Sequence, residues 1–129
     1  MRSSELKIQE KLNLAIQSHK NKKIQLAEKL YKEILVLNKD HVEANYQLGT
    51  LYSQLQNFNL AKPLLAKAHK LSPNNPNINL HIGNLLLSTG EPSEAINYFE
   101  KVIQIQPNFS LAHFNKGITL YNQKNIMML

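Results

Sequence analysis

Apolar residues recur along this chain at helical spacing, in stretches of roughly 13 residues separated by short polar turns. Leu60, Ala61, Leu64, Leu65 and Ala68 line one face of one such stretch, and Ala95, Phe99 and Val102 line another. The turns QLQN (54–57) and STGE (88–91) each split a pair of stretches, and SPNN or QPN closes the pair. This pattern predicts helix hairpins joined in series, an all-α chain with no strand. The last stretch, SLAHFNKGITLYNQKNIMML (110–129), is also amphipathic, with Leu111, Phe114, Ile118 and Tyr121 in helical register. Gly117 in its middle costs about 1 kcal/mol relative to alanine in a helix interior.

The pairs repeat. NYQLGTLY (45–52) and NLHIGNLL (79–86) are offset by 34 residues, and the same offset relates Ala61 to Ala95, Leu65 to Phe99 and Pro73 to Pro107. Extended in both directions, this register defines units 8–41, 42–75 and 76–109, and a half unit over 110–129 that carries Gly117 on the same frame as Gly49 and Gly83. Gly49, Gly83, Ala61 and Ala95 are read as small residues that let paired helices approach closely. Pro76 behind Asn75, and Pro92, suit the first turns of their helices. Pro63 stands further in, and a local distortion is expected there.

These residues carry a resemblance. A large residue, Leu-Gly three residues on, an aromatic or leucine three later, and then Ala, Phe and Pro at fixed offsets form the pattern of the tetratricopeptide repeat family, and the second and third units are similar to it. The first unit departs, with Ala15 for the glycine, Ser18 for the aromatic and Lys39 for the proline. The large leading position is polar throughout, as Lys11, Asn45, Asn79 and His113. The resemblance implies a right-handed superhelix of antiparallel helix hairpins, about seven helices, in a single domain over 1–129. One hairpin cannot bury its apolar face, so neighbours stack.

The resemblance also implies a concave groove walled by the first helix of each unit. Counting from Ile8, Val42, Pro76 and Ser110, the sixth positions are Asn13, Gln47, His81 and Asn115, side chains that both donate and accept hydrogen bonds. Their spacing is similar to the asparagine ladder of the O-linked N-acetylglucosamine transferase family, which implies capture of an extended peptide backbone. The fifth positions are Leu12, Tyr46, Leu80 and Phe114, the ninth Ile16, Thr50, Asn84 and Ile118, and the thirteenth Lys20, Gln54, Ser88 and Asn122. Such a groove is apolar and amide-rich. It lacks the lysine and arginine set of the repeat subtype that clamps acidic chaperone tails.

Charge and chemistry change this picture little. The net charge of +6 comes from 14 lysines and Arg2 against 9 acidic residues, and lysine lacks the planar fork with which arginine reads phosphate and guanine. Lys20, Lys22 and Lys23 cluster alone, without aromatics on which bases could stack, so no specific nucleic-acid partner is expected. With no cysteine, thiolate nucleophiles, disulfides and cysteine metal sites are excluded. His19, His41, His69, His81 and His113 show no pair at ligand spacing and read as solvated or capping residues. One aspartate, Asp40, and glutamates set among lysines, such as Glu33 near Lys29 and Lys32, assemble no catalytic constellation. No enzyme activity, metal or cofactor is expected.

The leading expectation is a noncatalytic scaffold that holds an extended peptide, in the cytoplasm because nothing marks the chain for export and no membrane span is present. Two alternatives stand beside it. The segment AEKLYKEILVLNKDHVEANYQLGTLY is similar to repeats that precede the catalytic domain of bacterial glycosyltransferase-like and sulfotransferase-like proteins, which implies a substrate-presenting module of a larger enzyme. The other is a small secretion chaperone of three repeats. The half unit leaves Ile118, Leu120, Tyr121, Ile126 and Met127 as an edge suited either to pairing with a second copy or to serving as a terminal cap.

Overall fold

The computed structural model describes residues 3–128, with side chains to Asn125. Over the described residues the chain is all α, with seven helices and no strand. It forms two compact units, Met1–Leu71 and Ser72–Leu129.

The first unit holds α1 (Ser4–Lys20), α2 (Ile24–Leu37), α3 (Val42–Gln54) and α4 (Phe58–Leu71). Side-chain acceptors start α1 and α3: Ser3 Oγ takes the Leu6 N–H at 3.2 Å, and His41 Nδ1 takes the Ala44 N–H at 3.0 Å. Each satisfies an N–H that the first helical turn leaves without a partner. Both hairpin turns are closed in the same way. Lys22 and Gln56 adopt left-handed backbone at φ 62, and the next N–H reaches back into the helix, from Lys23 to the Ser18 carbonyl and from Asn57 to the Tyr52 carbonyl, each at 2.8 Å.

This closure ordinarily recruits glycine, because a Cβ in the left-handed region costs about 1–2 kcal/mol. Lys22→Gly and Gln56→Gly are therefore expected to raise stability by up to about 1 kcal/mol each. Denaturant midpoints that fail to rise would show the strain to be absent.

Within this unit α1 packs on α2, α2 on α3 and α3 on α4. Fully buried Ala15, Ala27, Ala44 and Ala61 bring the backbones close, and Tyr31, Ile34 and Leu51 fill the space between them. Each such large side chain contributes about 1.5–3 kcal/mol on burial. Gly49 is needed at its crossing, since a Cβ there would sit 2.8 Å from Leu65 Cγ. α4 runs through Pro63 as one helix. The carbonyl that proline leaves without an N–H belongs to Asn59, which is exposed to water.

The second unit holds α5 (Pro76–Ser88), α6 (Pro92–Ile105) and α7 (Ser110–Met128). Asn75 Oδ1 accepts from the N–H groups of Asn77 and Ile78 at 2.9 and 3.2 Å, with Pro76 in the first turn behind it and Pro92 likewise opening α6. The α5–α6 turn repeats the left-handed closure with the residue it favours, Gly90 at φ 79. α5 packs on α6 and α6 on α7, with Ile78, Phe99 and Val102 fully buried. A Cβ on Gly83 would lie 2.5 Å from the Phe99 ring. On α7, by contrast, only Ala112 and Thr119 are buried among the described side chains, and nothing lies within 4 Å of a Cβ built on Gly117.

The polar residues at the leading position of the repeat pattern tie each unit's turn down. Asn45 Nδ2 donates to the carbonyls of Lys39 and His41 at 3.1 and 2.8 Å. Asn79 Nδ2 does the same to Pro73 and Asn75 at 3.0 and 2.9 Å. His113 Nε2 donates to the Pro107 carbonyl at 2.7 Å. Where no turn precedes within the register, Lys11 instead pairs with Glu33 across the first hairpin at 2.7 Å. That lysine first, and then Lys29, holds the Glu33 carboxyl below its usual range. Among the described residues no helix is long and apolar enough to cross a membrane.

Candidate functional site

In the first unit the predicted site residues fall on α1 and α3, which lie side by side. His19 on α1 joins them, hydrogen bonded through Nε2 to Gln54 Oε1 of α3 at 2.7 Å and through Nδ1 to the Tyr31 hydroxyl of α2 at 3.3 Å. Burial, and secondarily the Glu43 carboxylate, pushes the Tyr31 phenol up to about 12, so its hydroxyl keeps its proton. Asn13, Lys20 and Gln54 are exposed, and Ile16, Tyr46 and Gln47 are half-buried. The Tyr46 phenol is likewise pushed up to about 12, first by burial and then by Glu43.

The amides in this unit are partly used. Asn13 Oδ1 accepts from Gln9 Nε2, and Gln47 Nε2 donates to Glu43 Oε1, both at 2.9 Å and both within one helix. Each bond uses one end of the side chain and leaves the other, the Asn13 Nδ2 donor and the Gln47 Oε1 acceptor, for a ligand. Thr50 lies deeper than expected of a contact residue, 6% exposed, with its Oγ1 buried and unbonded. The β-branched side chain is part of the packing below the face.

In the second unit the corresponding face belongs to α5 and α7, joined by Asn115 Nδ2 donating to Asn84 Oδ1 at 2.9 Å. His81 Nδ1 bonds the Asn77 carbonyl at 2.8 Å, and exposed Ser88 donates to the Asn84 carbonyl at 3.2 Å. Leu80 is 3% exposed and is a packing residue. Phe114, at the equivalent position of α7, is 62% exposed. Ile118, Leu120 and Tyr121 are also largely exposed on α7, while the side chains of Ile126 and Met127 lie outside the described residues.

Charge gathers elsewhere. The Tyr52 hydroxyl of α3 and Lys32 both meet Glu28 of α2, and the tyrosine first, then the lysine, holds the Glu28 carboxyl below its usual range. Asp40 pairs with Lys67 at 3.1 Å, and Lys116 with Glu100 at 3.6 Å.

The tetratricopeptide repeat pattern matches residues 54–113. A match inside the 34-residue register, with the hairpin geometry above, decides the family. The chain belongs to the tetratricopeptide repeat family. Its repeats are similar in structure to MamA at a TM-score of 0.84 and 25% identity, over 91% of this chain and 68% of that one. They also match a K341M mutant of the Thermobaculum terrenum O-GlcNAc transferase, at a TM-score of 0.86 and 24% identity. This chain is covered over 93% of its length in that match but spans only 23% of the transferase. A third similar structure is the first repeat domain of Spaghetti (RPAP3) bound to the HSP90 peptide SRMEEVD, at a TM-score of 0.86, 16% identity, and 92% and 94% coverage of the two chains.

Tetratricopeptide repeats are protein-interaction modules, and this chain is built as one. Two groups in these repeats escaped sequence reasoning. Asn45 and Asn79 looked like departures from a family position for a large residue, yet each bridges two carbonyls of the turn before it. Their signal was present: the same amide, 34 residues apart, on a face otherwise apolar. The Asn84–Asn115 link carried no such signal, because its partners come from different positions of the repeat.

Proposed function

We infer that this chain is a noncatalytic scaffold that holds an extended peptide segment along the first helices of its repeats. The observation that carries the reading is the half-used amides. Asn13 and Gln47 present one free hydrogen-bonding group each on the α1–α3 face, and Asn115 keeps its Oδ1 on the α5–α7 face. A peptide backbone offers both N–H and C=O at every residue, so an amide satisfies it without regard to side-chain sequence. Half-buried Tyr46 and Ile16, and exposed Phe114, supply apolar contact beside those amides. The peptide carried by the Spaghetti repeats supports the same use of the fold. A cytoplasmic setting belongs to this reading.

The reading predicts that replacing Asn13, Gln47 and Asn115 together by alanine abolishes capture of a partner from lysate while the helical circular dichroism stays unchanged. All three lie outside the buried core, so the fold is expected to survive. Undiminished capture would place the binding surface elsewhere.

A second reading makes the repeats a substrate-presenting module of a longer glycosyltransferase-like or sulfotransferase-like enzyme. It is favoured by the match that spans 23% of the Thermobaculum transferase. An open reading frame running past codon 129 into a catalytic domain supports it, and an immediate stop codon removes it.

A further inference from the structure

The two hairpin turns of residues 1–71 end side by side, because His19 at the end of α1 bonds Gln54 at the end of α3 at 2.7 Å. Lys20, Lys22 and Lys23 stand on one of these tips, all exposed, and none of them forms an ion pair among the described residues. Exposed leucines stand with them: Leu55 on the other tip at 53%, and Leu26 and Leu60, in the first turns of α2 and α4, at 39% and 47%. No aspartate or glutamate occurs in residues 11–27 or 44–62, the two segments that build this end. A hollow of about 470 Å³, lined by Lys22, Lys23, Ile24, Gln25 and Leu26, opens beside the lysines.

The repeat does not demand this character. In the third repeat (76–109) the positions equivalent to Lys23, Leu26 and Leu55 are Glu91, Glu94 and Thr89. Residues 1–71 hold twelve basic and six acidic side chains, whereas residues 72–129 hold three of each, so the whole net charge of +6 lies in the unit that carries the basic tip.

Chemistry selects the partner. Leucines exposed beside unpaired ammonium groups match the boundary between lipid headgroups and acyl chains, where the leucine leaves water and the lysine reaches the phosphates. Nucleic acid fits less well, since lysine lacks the arginine fork and leucine gives bases no ring on which to stack.

We propose that this end of residues 1–71 docks on an anionic lipid surface, with Lys20, Lys22 and Lys23 against the headgroups and Leu55 in the acyl boundary. Each lysine near such a surface contributes about five-fold in affinity, and three give roughly a hundredfold, which makes the docking reversible. It is peripheral and needs no membrane-crossing helix. The proposal does not rest on peptide binding, and Asn13 and Gln47 play no part in it.

The test is co-sedimentation with vesicles of phosphatidylcholine containing about 30% phosphatidylserine, an anionic surface, beside vesicles of phosphatidylcholine alone. The expected result is binding to the anionic vesicles only, weakened when salt is raised from about 0.1 to about 1 M and screening shortens from about 10 to about 3 Å. Lys22→Ala with Lys23→Ala should lower the affinity about 30-fold, and Leu55→Ser about five-fold. Lys39→Ala with Lys70→Ala makes the same change in net charge at exposed sites, at the opposite end of the same hairpins. Those sites lie about 20 Å away along α2 and α4, beyond the screening length, so binding should stay within about two-fold. Unchanged circular dichroism checks that each variant folds. Failure to bind the anionic vesicles overturns the proposal, as does equal binding to phosphatidylcholine alone or an equal loss in the two lysine pairs. Retention on polyglutamate or RNA without vesicle binding also overturns it and assigns the lysines to an acidic polymer.

Discussion

Asn79→Ala is expected to destabilise the protein by about 2–4 kcal/mol, lowering its melting temperature by roughly 10 °C. The side chain is fully buried, and its Nδ2 donates to two carbonyls, Pro73 and Asn75. Alanine removes both bonds and leaves the Pro73 carbonyl without this donor in a site that water reaches poorly, while the Asn75 carbonyl keeps the backbone N–H of residue 79 at 3.2 Å. The net value of a satisfied bond is about 1 kcal/mol, but a buried group left unsatisfied costs about 1–3. Asn79→Asp should do worse, because a carboxylate cannot donate to those carbonyls and would be buried as an unpaired charge. Asn45→Ala should reproduce the loss in the other unit, where the same geometry joins Lys39 and His41. Chemical denaturation of the three variants checks this. A loss below 1 kcal/mol at Asn79 would show that the turn holds without its tether.

Gly83→Val and Gly117→Ala are expected to act in opposite directions. At Gly83 even the first added carbon would stand 2.5 Å from Cε1 and 2.9 Å from Cδ1 of Phe99, and that ring is fully buried, with no solvent side to turn toward. Overpacking of this kind costs about 1–3 kcal/mol per site, and the two further methyls of valine put the loss at the upper end. At Gly117 the added carbon meets nothing. There alanine only removes backbone freedom from the unfolded chain and improves helix propensity, a gain of up to about 1 kcal/mol. Thermal melting of the two variants beside the unsubstituted protein separates the two effects. Equal losses at both sites would mean that α7 is covered in a way its open flank does not show.

The contrast between these glycines also marks what the sequence made legible. The 34-residue offset placed all seven helices, the hairpin turns at 54–57 and 88–91, and the close-packing role of Gly49 and Gly83, because spacing is a one-dimensional property that folding preserves. Depth on the candidate face is not. Thr50 and Leu80 occupy positions equivalent to Ile118 and Phe114, yet they are buried where the α7 residues are exposed, since burial depends on which neighbour lies across the helix. Hydrogen-bond partners were hidden for the same reason: Asn84 and Asn115, or His19 and Gln54, meet only after separate helices dock. The left-handed turns were half visible. Gly90 announced one, whereas Lys22 and Gln56 adopt the same backbone with residues that carry no such sign.

That the first-helix faces hold an extended peptide through their amides is the claim on which the functional account stands. It is tested most directly by following the side-chain amide resonances of Asn13, Gln47 and Asn115 by nuclear magnetic resonance while a captured segment is titrated in. The account predicts saturable shifts at all three amides, with the surface of α2 around Glu28 and Lys32 unchanged. Binding that leaves the three amides still and shifts α2 instead would contradict it.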